Sequence, residues 1–130
     1  MKTFTQFIAE QKVSDQQIKK LEHFLDKMYS MINVDVEFGR HFIDRVNDER
    51  NGKDITIPEL QSLFTKTFNK YGGKIRDAED DWQAVIVDFN SDINVPFIIK
   101  WDKRKREFEL IAKTTMRKKN FKTPNEKLPV

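Results

Sequence analysis

Up to Trp82 the apolar positions of this chain mostly keep a helical period. From Ile18 through Leu21, Leu25, Met28 and Ile32 they recur every three or four residues, the spacing of one buried helix face. Ser14-Asp15-Gln16-Gln17 precedes them as a capping box, in which Ser14 accepts from a first-turn amide and Gln17 reaches back, so a helix is predicted over residues 14–32. Upstream, Phe4, Phe7 and Ile8 have helical spacing, and residues 1–13 read as a short helix or an arm folded onto the body. Residues 33–38 alternate apolar and polar, which suits a short extended segment before Gly39. A second helix is predicted from Arg40 to Arg50, with Phe42, Ile43 and Val46 as its apolar stripe and Asn51-Gly52 as its stop. Thr56-Ile57-Pro58-Glu59 is another capping box with Pro in the first turn; Leu60, Leu63, Phe64, Phe68 and Tyr71 follow on one face, and Gly72-Gly73 marks the predicted end. Residues 74–81 are polar and acidic and read as a loop or a frayed strand edge.

After Trp82 the pattern becomes that of strands. Residues 84–89, 95–101 and 107–113 are rich in β-branched and aromatic side chains and are joined by turn formers, so a meander is the simplest topology. Pro96 is expected at a strand start or an edge, because it has no amide to give to a ladder. Residues 117–130 read as a basic extended tail, with a final short strand expected around residues 120–123. Helices first and sheet second imply one α+β domain over residues 1–130, its amino-terminal helices packed on one face of a carboxy-terminal antiparallel β-meander.

Composition narrows the functional classes. The 130 residues suit one domain, and 38% hydrophobic with 35% charged residues describes a folded chain. No apolar run is long enough to span a membrane, and the start, Met1-Lys2-Thr3-Phe4, lacks the charged-then-apolar pattern of a signal peptide; an intracellular protein without a membrane partner is expected. The absence of Cys excludes disulfides, thiolate catalysis and cysteine-ligated metals. The net charge of +3 conceals an asymmetry: residues 100–130 hold 11 basic and 4 acidic side chains, +7, which leaves −4 for residues 1–99. Such asymmetry points to an anionic partner.

Two constellations carry candidate chemistry. His41, Arg45 and Glu49 are spaced i, i+4, i+8 and would share a helix face beside the Phe42/Ile43/Val46 stripe. An imidazole moves protons near neutral pH and a guanidinium grips phosphate bidentately, a pairing suited to phosphodiester chemistry. The plainer reading is a surface Arg45–Glu49 ion pair beside a histidine at a helix start. The second constellation is Lys113-Thr114-Thr115-Met116-Arg117-Lys118-Lys119-Asn120-Phe121-Lys122, where cations and hydroxyls suit phosphate oxygens and Phe121 suits a stacked base. Lys103, Arg104, Lys105 and Arg106 form a further cationic cluster, and a solvated basic tail is the alternative reading of both. The acidic run Asp77-Ala78-Glu79-Asp80-Asp81 lacks the alternating ligands of a calcium loop, His23 reads as a surface residue, and no metal site is expected.

The order of a helix bearing His41-Phe42-Ile43-Asp44-Arg45, a capped helix opening Ile55-Thr56-Ile57-Pro58-Glu59-Leu60, and a meander closing on Lys113-Thr114-Thr115 resembles the phage-encoded members of the barnase, EndoU, colicin and RelE (BECR) group of metal-independent ribonucleases. The His-bearing helix also looks like that of the phage endoribonuclease RegB. The resemblance covers about residues 34–123. It implies cleavage of RNA by attack of a ribose 2′-hydroxyl on the adjacent phosphate, without a cofactor, in the host cytoplasm or in association with the virion. It also implies that His41 is the general acid or base, that Arg45 stabilises the phosphorane, and that Lys113 with Thr114 or Thr115 binds the scissile phosphate, while residues 103–106, Arg117, Lys118, Lys119, Phe121 and Lys122 contact the RNA. Such enzymes commonly use a second proton carrier, for which Glu37, Glu49 and Tyr71 are the candidates. The alternatives are an inactive ribonuclease-like fold that binds nucleic acid or a virion component, and an inhibitor of a host enzyme.

Overall fold

The computed structural model describes residues 12–130, so the expected amino-terminal arm or helix falls almost wholly outside the described residues. Helix α1 (Asp15–Tyr29) starts at Ser14, whose hydroxyl accepts from the Gln17 amide while Gln17 accepts from the Ser14 amide, and it closes through a 3-10 turn (Ser30–Ile32). Its buried face is Ile18, Leu21, Leu25 and Tyr29, the predicted period. Asn33 then takes φ 57, a left-handed value that Asn tolerates, and turns the chain into β1 (Val34–Phe38).

The second helix is much shorter than its sequence suggests. Helix α2 spans only Phe42–Val46, with His41 at its start, and a separate 3-10 turn (Glu49–Asn51) follows. Asp48 ends the helical run: its carboxylate accepts from the Arg50 amide at 2.9 Å, starting a new turn. Glu49 therefore does not share a helix face with His41 and Arg45.

Helix α3 (Ile57–Arg76) begins at the predicted Thr56/Glu59 box but runs through Gly72 and Gly73 instead of stopping there. Ile75 explains the difference. It is fully buried, and burial of such a side chain, worth about 1.5–3 kcal/mol, matches the roughly 1 kcal/mol that each glycine costs inside a helix.

Strands β2 (Gln83–Asp88), β3 (Ile93–Asp102) and β4 (Glu107–Ala112) form the expected antiparallel meander. Two parallel strands widen it into a mixed sheet in the order β1-β4-β3-β2-β6, where β6 is Glu126–Pro129 and a two-residue β5 (Met116–Arg117) adds to β3 beyond the end of β4. The carboxy-terminal segment is thus part of the sheet, and its last strand lies at Glu126–Pro129, not around residues 120–123. Leu128, 2% exposed beside Ile86, anchors it.

Pro96 sits inside the central strand β3, against expectation. Its carbonyl accepts from the Lys113 amide, so its nitrogen faces the interruption between β4 and β5, where no ladder amide is needed. The face of the sheet carrying Val36, Ile86, Phe97 and Leu110 packs against Leu25, Leu60 and Phe64 of the helices as one core. The Tyr29 hydroxyl donates to the Phe64 carbonyl at 2.8 Å and ties α1 to α3.

Candidate functional site

The main-chain geometry that brings α2 to the end of β4 is set at Gly39. Its amide donates to the Ala112 carbonyl at 2.7 Å, and a Cβ there would stand 3.0 Å from that oxygen and 3.1 Å from the Lys113 carbonyl, so only glycine fits without a shift. Asn51, buried to 8% exposure, makes a second link. Its Nδ2 donates to the Arg45 and Val46 carbonyls at 2.8 and 3.2 Å, and its Oδ1 accepts from the Arg117 amide at 3.0 Å. The segment bearing His41 and Arg45 is thereby fastened at both ends to the segment bearing residues 113–118.

Between them lies an open cleft of about 780 Å³, lined on one side by His41, Arg45, Asp48, Arg50 and Asn51 and on the other by residues 113–118. The acidic first part of the chain and the basic last part meet here. Among the described residues that line it, Arg45, Arg50, Lys113, Arg117 and Lys118 are cationic and only Asp48 is acidic.

His41 is exposed, with Nδ1 3.8 Å from the Asp44 carboxylate. Arg45 places Nη1 3.6 Å from Asp48, and Arg50 holds the same carboxylate through Nε at 3.1 Å and Nη2 at 2.7 Å. The Arg50 side-chain bonds, then its amide and the Arg45 charge, keep the Asp48 carboxyl down at about 2. Asp48 stays ionised and orients the two arginines; it does not carry protons near neutral pH.

The opposite wall divides by function. The Lys113 ammonium donates to Gln83 Oε1 at 2.8 Å, and the Thr114 hydroxyl has no partner among the described residues. Thr115 is different: it is 1% exposed and its hydroxyl donates to the Asn94 carbonyl at 3.1 Å, so it secures the strand end and is not turned to a ligand.

Arg117 is likewise structural. Its guanidinium donates to the carbonyls of Lys53, Asp54 and Ser91 and to both oxygens of Glu59, at 2.6 to 3.1 Å. Burial pushes the Glu59 carboxyl up, but the Arg117 bond and the Thr56 amide outweigh it and hold it below its ordinary range. Lys118 has no carboxylate partner among the described residues, and exposed Lys119 and Lys122 with half-buried Phe121 follow beyond the cleft lining.

Residues 103–106 do not reach this cleft. They form the turn at the other end of β4, six residues of extended chain or roughly 20 Å away. Nor do the candidates for a second proton carrier line it. Tyr71 donates its hydroxyl to the Pro129 carbonyl at 2.6 Å, Glu49 lies in the 3-10 turn, and Glu37 belongs to a separate cluster.

In that cluster, carboxylate oxygens of Asp35, Glu37 and Glu109 lie within 4.8 Å of one another. The Lys105 ammonium sits 3.4 Å from Asp35 and 4.0 Å from Glu109. Burial, a hydrogen bond with Asp102 and the Glu37 charge push the Glu109 carboxyl up to about 7. Burial and a hydrogen bond with Asp35 do the same to Asp26, which also accepts from the Val36 amide at 2.7 Å on the outer edge of β1. The sequence signal for this cluster was the Asp35-x-Glu37 alternation, but parallel pairing of Asp35 with Glu109 was needed to see it.

Among the described residues no helix is long and apolar enough to cross a membrane. Comparison with protein-family models, with curated proteins and with solved structures gave no match. The fold and the cleft therefore define the class of protein: an α+β domain with a cationic cleft that holds one exposed histidine.

Proposed function

We propose that the protein is a phage-encoded, metal-independent endoribonuclease that binds RNA in this cleft and acts in the host cytoplasm. The observation that supports this most is the meeting of His41 and Arg45 with Lys113, Thr114 and Lys118, residues more than 60 positions apart in sequence, around one cavity. In the proposed reaction the ribose 2′-oxygen attacks the adjacent phosphorus and the bond to the 5′-oxygen breaks, leaving a 2′,3′-cyclic phosphate and a 5′-hydroxyl. His41 moves one of the two protons, and water serves as the other carrier. In this reading Arg45 neutralises charge on the phosphorane, while Lys113, Thr114 and Lys118 hold phosphate oxygens.

Incubation with RNA in excess EDTA tests the reading. Cleavage to cyclic-phosphate ends is expected, reduced by about 100-fold or more in His41→Ala; equal cleavage by both proteins, or none by either, would remove the catalytic role. A second reading, an RNA-binding protein without cleavage, rests on one observation. Among the described residues, Asp48 is the only other side chain lining the cleft with an ordinary pKa below that of histidine, and its arginine partners lock it in the ionised form. Salt-sensitive binding with intact RNA would select that reading.

A further inference from the structure

The end of the molecule opposite the cleft has features that the cleft does not use. We propose that the tip of the β3–β4 hairpin is a second, separate contact for single-stranded RNA, in which Trp101 stacks on a base and Lys103, Arg104 and Arg106 hold the flanking phosphates. The proposal takes its ligand class from the function proposed above and adds a site.

Trp101 is 41% exposed, an unusual state for an indole on the helix-facing side of a sheet. Its ring meets that of Phe108, its cross-strand partner, edge-on at a centroid separation of 4.9 Å. This contact fixes the indole while leaving part of it open to solvent, and a fixed, exposed ring is a platform on which any base stacks.

The turn beside it is rigid. Asp102 accepts from the amides of Arg104 and Lys105 at 2.8 and 3.2 Å, and Arg106 adopts φ 54 while its amide donates to the Asp102 carbonyl. Of the four turn cations, Lys105 is committed to Asp35 and Glu109. Lys103, Arg104 and Arg106 form no ion pair among the described residues, although Glu107 lies at the turn exit. Three cations without an ion pair among the described residues, beside an open ring, complement a polyanion with bases. Insertion into a membrane is disfavoured because residues 103–106 include no apolar side chain to bury. The contact is distinct from the cleft: the length of β4 separates them, and Asp35, Glu37 and Glu109 lie on the opposite face of the sheet from Trp101.

Tryptophan fluorescence tests this, because the chain has two Trp and the other, Trp82, packs edge-on against Phe97 at 5.5 Å. A cleavage-resistant 2′-O-methyl oligouridylate of about 8 nucleotides, within the length that one single-strand site covers, is titrated into wild type and into Arg45→Ala/Lys118→Ala, which disables the cleft. Saturable, salt-sensitive quenching is expected in both. Trp101→Leu should abolish it, and Lys103→Ser/Arg104→Ser/Arg106→Ser should weaken it at least about tenfold. The exposed triple variant keeps the test valid should Trp101→Leu fold poorly. Undiminished binding of the triple variant in the cleft-disabled background would overturn the proposal. So would quenching by anionic phospholipid vesicles without quenching by the oligonucleotide. Failure of the cleft reading looks different: Arg45→Ala/Lys118→Ala would then leave total RNA affinity unchanged while the Trp101 signal persists.

Discussion

At the scale of single residues, neighbouring cations have opposite roles. Arg117 donates to five acceptor atoms of the surrounding chain, whereas Lys118 has no carboxylate partner among the described residues. Arg117→Ala is expected to cost about 2–4 kcal/mol of stability, because it strands the Glu59 carboxylate and three carbonyls. Lys118→Ala should leave the melting temperature unchanged and weaken RNA binding; thermal melts of the two variants check the contrast. Sequence made both look like phosphate ligands, since a guanidinium and an ammonium in one basic run cannot be told apart until their acceptors are in place.

Carboxyl groups give a second expectation at this scale. Glu109 and Asp26 titrate near 7 in the folded chain, above their ordinary 4.5 and 3.8. The folded state thus holds protons that the unfolded chain has released, so these groups add stability as pH falls from about 7 toward 5. Asp48 and Glu59 are held low, and the stability they contribute is lost as pH falls below the ordinary carboxylate range. Melting temperature should peak near pH 5, and Glu109→Gln should flatten the limb between pH 5 and 8. A wild-type melting temperature that rises from pH 5 to 8 would contradict the assignment.

At the scale of elements, the capping boxes at Ser14 and Thr56 and the apolar period of α1 were legible because they are local: donor, acceptor and buried face lie within one or two turns. What was not legible depended on distant partners. Gly72-Gly73 reads as a stop, yet buried Ile75 carries α3 through it; a Cβ at Gly72 meets nothing within 4 Å, so Gly72→Ala should stabilise the helix by about 0.5–1 kcal/mol. The attachment of α2 to β5 runs through Asn51, which in the sequence is half of an ordinary Asn-Gly turn. Asn51→Ala should cost about 1–3 kcal/mol by leaving the Arg117 amide and the Arg45 carbonyl without their partner. Hydrogen exchange should then quicken at the Arg117 amide ahead of the amides of β2 and β3.

At the scale of the whole molecule, the charge asymmetry is real but is not one surface. The cations behind the +7 of residues 100–130 do not gather in one place: Lys113, Arg117 and Lys118 line the cleft, residues 103–106 form the β3–β4 turn at the opposite end of β4, and the rest lie elsewhere. A chain-wise count cannot show this, because a hairpin returns its charges to the other end of the sheet. The same topology produces the cleft, where Gly39 and Asn51 fasten the segment of residues 41–51 to the end of β4. The central claim is that these two walls grip one RNA backbone. Its most direct measurement is the affinity of a 2′-O-methyl oligonucleotide for wild type, Arg45→Ala, Lys118→Ala and the double variant across a salt series, with the β3–β4 turn cations replaced by Ser throughout. Each single variant should weaken binding and lower the salt slope by about 1, and their effects should be coupled. Unchanged affinity and slope in both single variants would contradict the account.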